Sequence, residues 1–350
     1  MVARAFICGI EGLTVSAAEQ RFLRDSRPWG VILFARNVDT PVQLRALTDQ
    51  LRDITGRDDL PILVDQEGGR VQRLKKPHWP RYPAAQRIGA LYVERPKDAA
   101  RAAWLSGRLI GQDLADGGLN VDCLPVADLS FAETHDVIGD RAYHSEPGIV
   151  AELGRAAADG LMAAGVAPVL KHIPGHGRAT ADSHLELPIV EAAREDLERL
   201  DFAAFAALAD LPMAMTAHII FTALDAERPV TQSAKTISEI IRQQMGFDGL
   251  LMTDDLSMKA LSGTFAERTS RCFEAGCDVV LHCNGDMAEM SEVAEMCPEL
   301  TGDALRRALA AMPPEATDAD LPALRAEFAD LLDLDPDDLA GDLVPSGEGV

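Results

Sequence analysis

The chain is poor in aromatic residues and in positive charge, and it has no long apolar run. Aromatics make up 5% of its 350 residues, and 33 Lys and Arg stand against 56 Asp and Glu, for a formal net charge of −23. The pI is about 4.7. A surplus of that sign repels nucleic acid and anionic membrane surfaces, so neither is expected as a partner. No stretch approaches the roughly 18 consecutive apolar residues that read as a membrane span. Residues Met1–Leu13 lack the charged start, long apolar centre and small-residue cleavage site of a secretory signal, which leads to the expectation of a cytoplasmic protein. The six cysteines, Cys8, Cys123, Cys272, Cys277, Cys283 and Cys297, form no CxxC pair. Several sit in apolar runs, so they are read as free thiols in a reducing compartment rather than a disulfide framework. No GxGxxG follows the first apolar run, which argues against dinucleotide binding.

What is present is a hydrophobic content of 47%, ample for a sizeable core, in a regular alternation. Eight short apolar runs read as strands: Ala5–Gly9, Gly30–Ala35, Pro61–Val64, Leu119–Pro125, Val166–Leu170, Met213–Ala217, Leu250–Thr253 and Asp278–Cys283. Helix-period segments lie between most of them, among them Leu44 to Leu51, Ala102 to Leu114, Ile149 to Met162, Leu197 to Leu208, Ile237 to Met245 and Phe265 to Ala275. Strands alternating with helices imply βαβ units and a parallel sheet. Eight such units predict an α/β protein with one closed (β/α)₈ TIM-like barrel, a single domain spanning residues 1–312. Residues 313–350 read as an acidic tail with eleven carboxylates and one cation, Arg325. Leu321, Leu324, Phe328, Leu331 and Leu332 have helical spacing within it, and the final ten residues read as disordered.

A barrel of this kind carries its reactive groups just past the C-terminal ends of its strands. The third run leads to Asp65-Gln66-Glu67-Gly68-Gly69-Arg70-Val71-Gln72-Arg73, the fourth to Asp128 and Gly139-Asp140-Arg141, and the sixth to His218. The seventh leads to Asp254-Asp255 and the eighth to Asn284. The fifth leads to Lys171-His172-Ile173-Pro174-Gly175-His176-Gly177 and on to Asp182-Ser183-His184. Pro174, Gly175 and Gly177 exclude a helix there, so the segment from Lys171 reads as a polar loop.

The residue types suggest chemistry. Asp254 at a strand end can act as a nucleophile or stabilise a cation, whereas Asp255 reads as a cap or support. Asp182 and His184 have the spacing of a carboxylate that orients an imidazole for proton transfer. His172, His176 and His184 invite a metal reading. A four-residue His spacing binds zinc from one helical turn, which Pro174 and Gly175 forbid, so no metal or other cofactor is expected and His176 reads as a buried support. Asp65, Arg73 and Arg141 suit a polyol, since a carboxylate accepts from sugar hydroxyls and a guanidinium donates in a fixed fork; an Asp–Arg ion pair between loops is the plainer alternative. Gly68-Gly69 reads as a tight turn.

Taken together, the segments 65–73, 139–141, 171–177 with 182–184, and Thr253-Asp254-Asp255-Leu256-Ser257-Met258 resemble those of family 3 glycoside hydrolases, and more narrowly the bacterial cytoplasmic β-N-acetylglucosaminidases among them. The likeness runs from about Ala5 to about Ala310. It implies retaining hydrolysis in two steps, with Asp254 as nucleophile, His184 as acid/base oriented by Asp182, and Asp65, Arg73, Arg141, Lys171 and His172 holding the sugar. It further implies a small carbohydrate substrate, namely peptidoglycan fragments (muropeptides) with a terminal β-1,4-linked N-acetylglucosamine. A monomer is favoured. Ile173 stands where the family often has phenylalanine. The alternatives are a phosphorylase acting on the same glycosides, a related β-glycosidase, a metal-dependent hydrolase, and a sugar-binding protein without turnover.

Overall fold

Buried strands must be apolar on both faces when helices cover a closed sheet, and the eight apolar runs meet that demand. In the computed structural model they form a closed parallel barrel. The structure describes residues 2–131, 137–179, 181, 183 and 186–341. The barrel strands are β1 (Arg4–Cys8), β2 (Pro28–Leu33), β3 (Ile62–Val64), β4 (Val121–Asp122), β5 (Ala167–Ile173), β7 (Met213–Thr216), β9 (Leu250–Asp255) and β10 (Val279–His282). Their order around the barrel is β1-β10-β9-β7-β5-β4-β3-β2, and every neighbouring pair is parallel. This is the expected (β/α)₈ fold. Two short strands the sequence did not announce, β6 (Ile189–Val190) and β8 (Ile220–Phe221), pair outside the barrel.

The period-2 alternation sorts the core into two layers. Ala5, Ile7, Ile32, Leu63, Val121, Val169, Met213, Met252 and Leu281 fill the barrel interior. Phe6, Cys8, Val31, Leu33, Ile62, Val64, Leu170 and Leu251 point outward into the layer beneath the helices. All six cysteines are buried free thiols.

The helices are α1 (Ala17–Ser26), α2 (Pro41–Thr55), α3 (Ala85–Tyr92), α4 (Pro96–Asp116), α5 (Pro147–Ala163), α6 (Arg194–Asp196), α7 (Phe202–Ala206), α8 (Phe265–Ala275), α9 (Met287–Met296), α10 (Gly302–Ala310), α11 (Leu321–Leu332) and α12 (Pro336–Leu339). Wider helical turns occupy Leu197–Asp201, between α6 and α7, and Thr236–Gln244. Local signals explain several boundaries. Thr40 caps α2 by accepting from the Gln43 amide, with Pro41 opening the first turn and Gly56 closing the helix. A reciprocal Thr264–Glu267 capping box starts α8. No helix among the described residues is long and apolar enough to cross a membrane.

Several strand boundaries differ from the sequence reading, two of them at the mouth. β5 does not end at Leu170; it runs through Lys171, His172 and Ile173, with Lys171 opposite Met215 and Ile173 opposite Thr216. The polar side chains made this stretch look like loop. The backbone still pairs, because polar groups here face the barrel mouth and its ionic partners. β9 likewise continues past Thr253 through Asp255.

Beyond α10 the chain crosses to Ala163, whose carbonyl accepts from the Thr317 amide at 2.9 Å. α11 then packs along α4. The end of the tail, from residue 342, lies outside the described residues.

Candidate active site

The mouth is organised by a string of alternating charges. After β3 the chain places Asp65 and Glu67 on the same side, as alternate residues of an extended segment must be. Lys171 Nζ, from β5, lies 2.8 Å from Asp65 Oδ1 and 2.6 Å from Glu67 Oε1. Arg73 Nη2 donates to Asp65 Oδ2 at 3.0 Å. Arg141 donates through Nε and Nη2 to the two Glu67 oxygens, both at 2.8 Å. Three cations therefore bracket two anions, in the order Arg73, Asp65, Lys171, Glu67, Arg141. The Lys171 side chain is only 2% exposed and that of Glu67 4%.

Such burial is costly unless each charge is paired and hydrogen-bonded, and here it is. Burial alone would raise the Asp65 and Glu67 carboxyls. The Lys171 and Arg73 charges outweigh it at Asp65, and Arg141 with Lys171 outweighs it at Glu67, so both lie well below the usual range. Burial would lower Lys171, but Asp65 and Glu67 hold its ammonium above the ordinary value. Beneath them Asp122 is fully buried, and burial raises its carboxyl, helped by the charges of Asp65 and Glu67. That favours a neutral acid and avoids a third buried anion.

Local structure fixes this array. Gly68 (φ 91°) and Gly69 (φ 56°) turn the chain back on itself, and a Cβ on Gly68 would lie 2.4 Å from the Pro83 carbonyl oxygen. Gln66 braces the loop, its Oε1 accepting from the Arg73 amide at 2.8 Å and the Leu74 amide at 3.1 Å. The Arg73 and Arg36 guanidiniums both sit over the Phe34 ring at the end of β2.

His172 is positioned by Asp128, which is fully buried. Asp128 Oδ2 lies 2.7 Å from His172 Nδ1, and its Oδ1 accepts from the amides of His172 (3.3 Å) and His176 (2.6 Å). Burial opposes ionisation of Asp128, but the two histidines lower its carboxyl. His176 meets His172 edge to face with ring centroids 5.5 Å apart. Its Nε2 lies 3.2 Å from Ser183 Oγ. Burial and then the His172 ring push His176 down to about 4, so it is neutral at neutral pH. At Gly177 a Cβ would lie 2.1 Å from the Leu129 carbonyl oxygen, so only glycine allows this approach. Ser183 also accepts at its carbonyl from the Ala260 amide, tying the loop to the segment that follows β9.

On that side, Asp254 is half-buried at the end of β9 and its Oδ1 accepts from the Asp255 amide at 2.8 Å. Asp255 turns away to bind the amides of Ser257 (3.0 Å) and Cys283 (3.1 Å), as a supporting residue would. Fully buried His218, after β7, lies 3.1 Å from the Asp255 carbonyl through Nε2 and 2.7 Å from Thr231 Oγ1 through Nδ1. Burial lowers its imidazole too, against the pull of Asp254.

The structure thus joins Asp65, Arg73, Arg141 and Lys171 in one array and sets His172 beside it on β5. Arg141 pairs with Glu67 rather than with Asp65. Asp182 and His184, the other two residues singled out in the sequence, lie outside the described residues. Among the described residues no group of three His, Cys, Asp or Glu could hold a metal ion. Glu67, Asp128 and His218 stood among the polar residues past strand ends in the sequence, but none of them was given a role in the site. For Glu67 the period-2 spacing with Asp65 was a further signal.

Residues 7–308 match the glycosyl hydrolase family 3 N terminal domain. The chain belongs to that family. This family 3 glycoside hydrolase is 42% identical to a beta-hexosaminidase of Alkalilimnicola ehrlichii over 81% of its own length and 82% of the relative's. It is 38% identical to a beta-hexosaminidase of Bordetella avium over 79% of each chain. Among solved structures, native NagZ from Neisseria gonorrhoeae superposes with a TM-score of 0.86 at 31% identity, covering 95% of this chain and 98% of that one.

Proposed function

We propose that this enzyme is a retaining exo-β-N-acetylglucosaminidase that removes terminal β-1,4-linked N-acetylglucosamine from muropeptides in the cytoplasm, as part of cell-wall recycling. The barrel of residues 1–312 would carry the reaction, with residues 313–350 appended to it. The observation that carries the reading is a half-buried carboxylate, Asp254, at a strand end facing a mouth already furnished with paired Asp65, Arg73, Arg141 and Lys171. The names of the related beta-hexosaminidases support the sugar assignment.

In this mechanism Asp254 attacks C1 while His184, oriented by Asp182, gives its proton to the departing oxygen, and the glycosidic bond breaks. The glycosyl–Asp254 ester is then opened by a water whose proton returns to His184. An imidazole suits both roles near neutral pH. Asp65 and the cations around it would hold the sugar hydroxyls, and His172, its ring fixed by Asp128, would add a further contact. Because these groups are held by one another, they need little rearrangement on binding.

The test is incubation with a chromogenic β-N-acetylglucosaminide and with a muropeptide, products being identified by mass. Free N-acetylglucosamine is expected, and sugar 1-phosphate in phosphate buffer would instead identify a phosphorylase. Asp254→Ala should lower kcat by at least about 10³-fold, and normal turnover by that variant overturns the assignment. His184→Ala should lose less with an activated leaving group than with a poor one, since little proton donation is then needed.

A further inference from the structure

The tail contains one cation, Arg325, and the fold spends it on a buried carboxylate. Arg325 Nη2 donates to Asp113 Oδ1 of α4 at 3.0 Å, and its Nη1 to the Leu339 carbonyl at 3.0 Å. The other Asp113 oxygen accepts from the Tyr82 hydroxyl at 2.6 Å, and Tyr82 is 1% exposed.

From Tyr82 a continuous path of hydrogen bonds leads to the mouth. The Tyr82 amide donates to Gln72 Oε1 at 2.9 Å, and its carbonyl accepts from the Gly69 amide at 2.9 Å. Gln72 Nε2 and Gln66 Nε2 share the Leu74 carbonyl at 3.2 and 3.0 Å. Gln66 Oε1 holds the Arg73 amide, and the Arg73 guanidinium holds Asp65.

The same tail is gripped from outside by basic side chains of the segment it covers. Arg87 and Arg95 donate to the carbonyls of Leu331, Leu332 and Asp333 at the end of α11, where cations are favoured. Arg101 binds Glu327 in a fork, both bonds at 2.7 Å. The Arg81 amide donates to the Asp338 carbonyl at 2.7 Å, and Lys76 reaches the Asp337 and Ala340 carbonyls. Phe328, Leu332 and Leu339 enter the same core as Tyr82 and Ile88.

We propose that the segment from Leu321 to Gly341 is a positioning strap for the loop after β3, with Arg325 acting through Asp113 and Tyr82 to set Asp65 and Arg73 for the sugar. The strap touches no substrate; it takes slack out of the gripping loop. Removing Arg325 strands a buried carboxylate, weakens the acceptor that holds Tyr82, and loosens the turn at Gly69 and Gln72. The effect should fall on binding, because Asp254 is held on another strand.

This rests on the glycosidase reading, and the test separates the two. In the full-length chain Arg325→Gln should raise KM for a β-N-acetylglucosaminide about 5- to 10-fold, with kcat within about 2-fold of the parent. Arg325→Lys, which keeps the charge at Asp113, should return KM most of the way. Lys76→Gln, an exposed change that does not threaten folding, should raise KM about 2-fold. A lower melting temperature with KM unchanged in all three variants overturns the proposal, as does a loss confined to kcat. If the parent enzyme does not turn over the glycoside, the glycosidase reading fails, and amide hydrogen exchange still decides the strap. Faster exchange of residues 66–82 in Arg325→Gln, with 213–216 unchanged, supports it, and unchanged exchange at 66–82 overturns it.

Discussion

The two sides of the mouth are built on different principles. The side formed by β3, β5 and the turn at 139–141 is an ionic lattice in which Asp65 and Glu67 each touch two cations. On the side formed by β7, β9 and β10, Asp255 and His218 are held by backbone amides, a carbonyl and hydroxyls, and Asp254 lies half-buried at a strand end. A lattice of paired charges gives a rigid grip whose members cannot easily change protonation state. A half-buried carboxylate at a strand end lies nearer the surface of the mouth than the paired charges of the lattice. In the proposed mechanism, gripping and reacting thus fall to parts of the barrel with different tolerance for change.

The largest expected break in this contrast is Glu67→Gln. It strips one charge from between Arg141 and Lys171 and leaves two buried cations short of partners. A stability loss of about 4 kcal/mol is expected in denaturant titration, together with a raised KM. Asp255→Ala, on the other side, should show no comparable rise in KM, and an equal rise would erase the distinction.

Acid acts next. His176 is neutral in the fold with a value near 4, against 6.5 ordinarily. Its depressed value means that the stability it contributes is complete above about 6.5 and is lost as pH falls toward 4, a decline on the order of 3 kcal/mol. Below that, Asp65 and Glu67, also depressed, add to the loss as they are finally protonated. Unfolding free energies measured between pH 7 and 4 check this, and His176→Gln should flatten the upper part of the curve.

The smallest effect is assigned to Asp255→Asn. It keeps the one oxygen that accepts from both the Ser257 and Cys283 amides but removes the charge and the second oxygen, which accepts from the Ser257 hydroxyl, so about 1 kcal/mol of stability should go. A loss of several kcal/mol would mean that this side is as tightly coupled as the lattice.

How much of this could be read beforehand depends on what each feature asks of the sequence. The barrel strands were legible because buried parallel strands must be apolar along their whole length, as Val169 and Leu170 or Leu250 and Leu251 are. Their ends were not, because Lys171 and His172 keep strand pairing while presenting polar groups to the mouth. α1 was missed since its face is charged and its one deeply buried acid, Glu19, serves the capping box. Within the site, Asp65, Arg73, Arg141, Lys171 and His172 stood out as chemistry at strand ends. Glu67 did not, for a carboxylate two residues from another can as easily face solvent until Arg141, some seventy residues later, is brought to it.

The six buried thiols allow the barrel to be timed. Burial pushes Cys8 and Cys272 up to about 12, and it raises Cys123, Cys277, Cys283 and Cys297 as well. None is nucleophilic while the fold is closed. Cys123 and Cys283 lie inside the barrel, whereas Cys8, Cys272 and Cys297 lie under the helices. Alkylation of each thiol is therefore a clock for the opening of its own layer, and the two sets of rates would tell whether the helical shell peels away before the strands part.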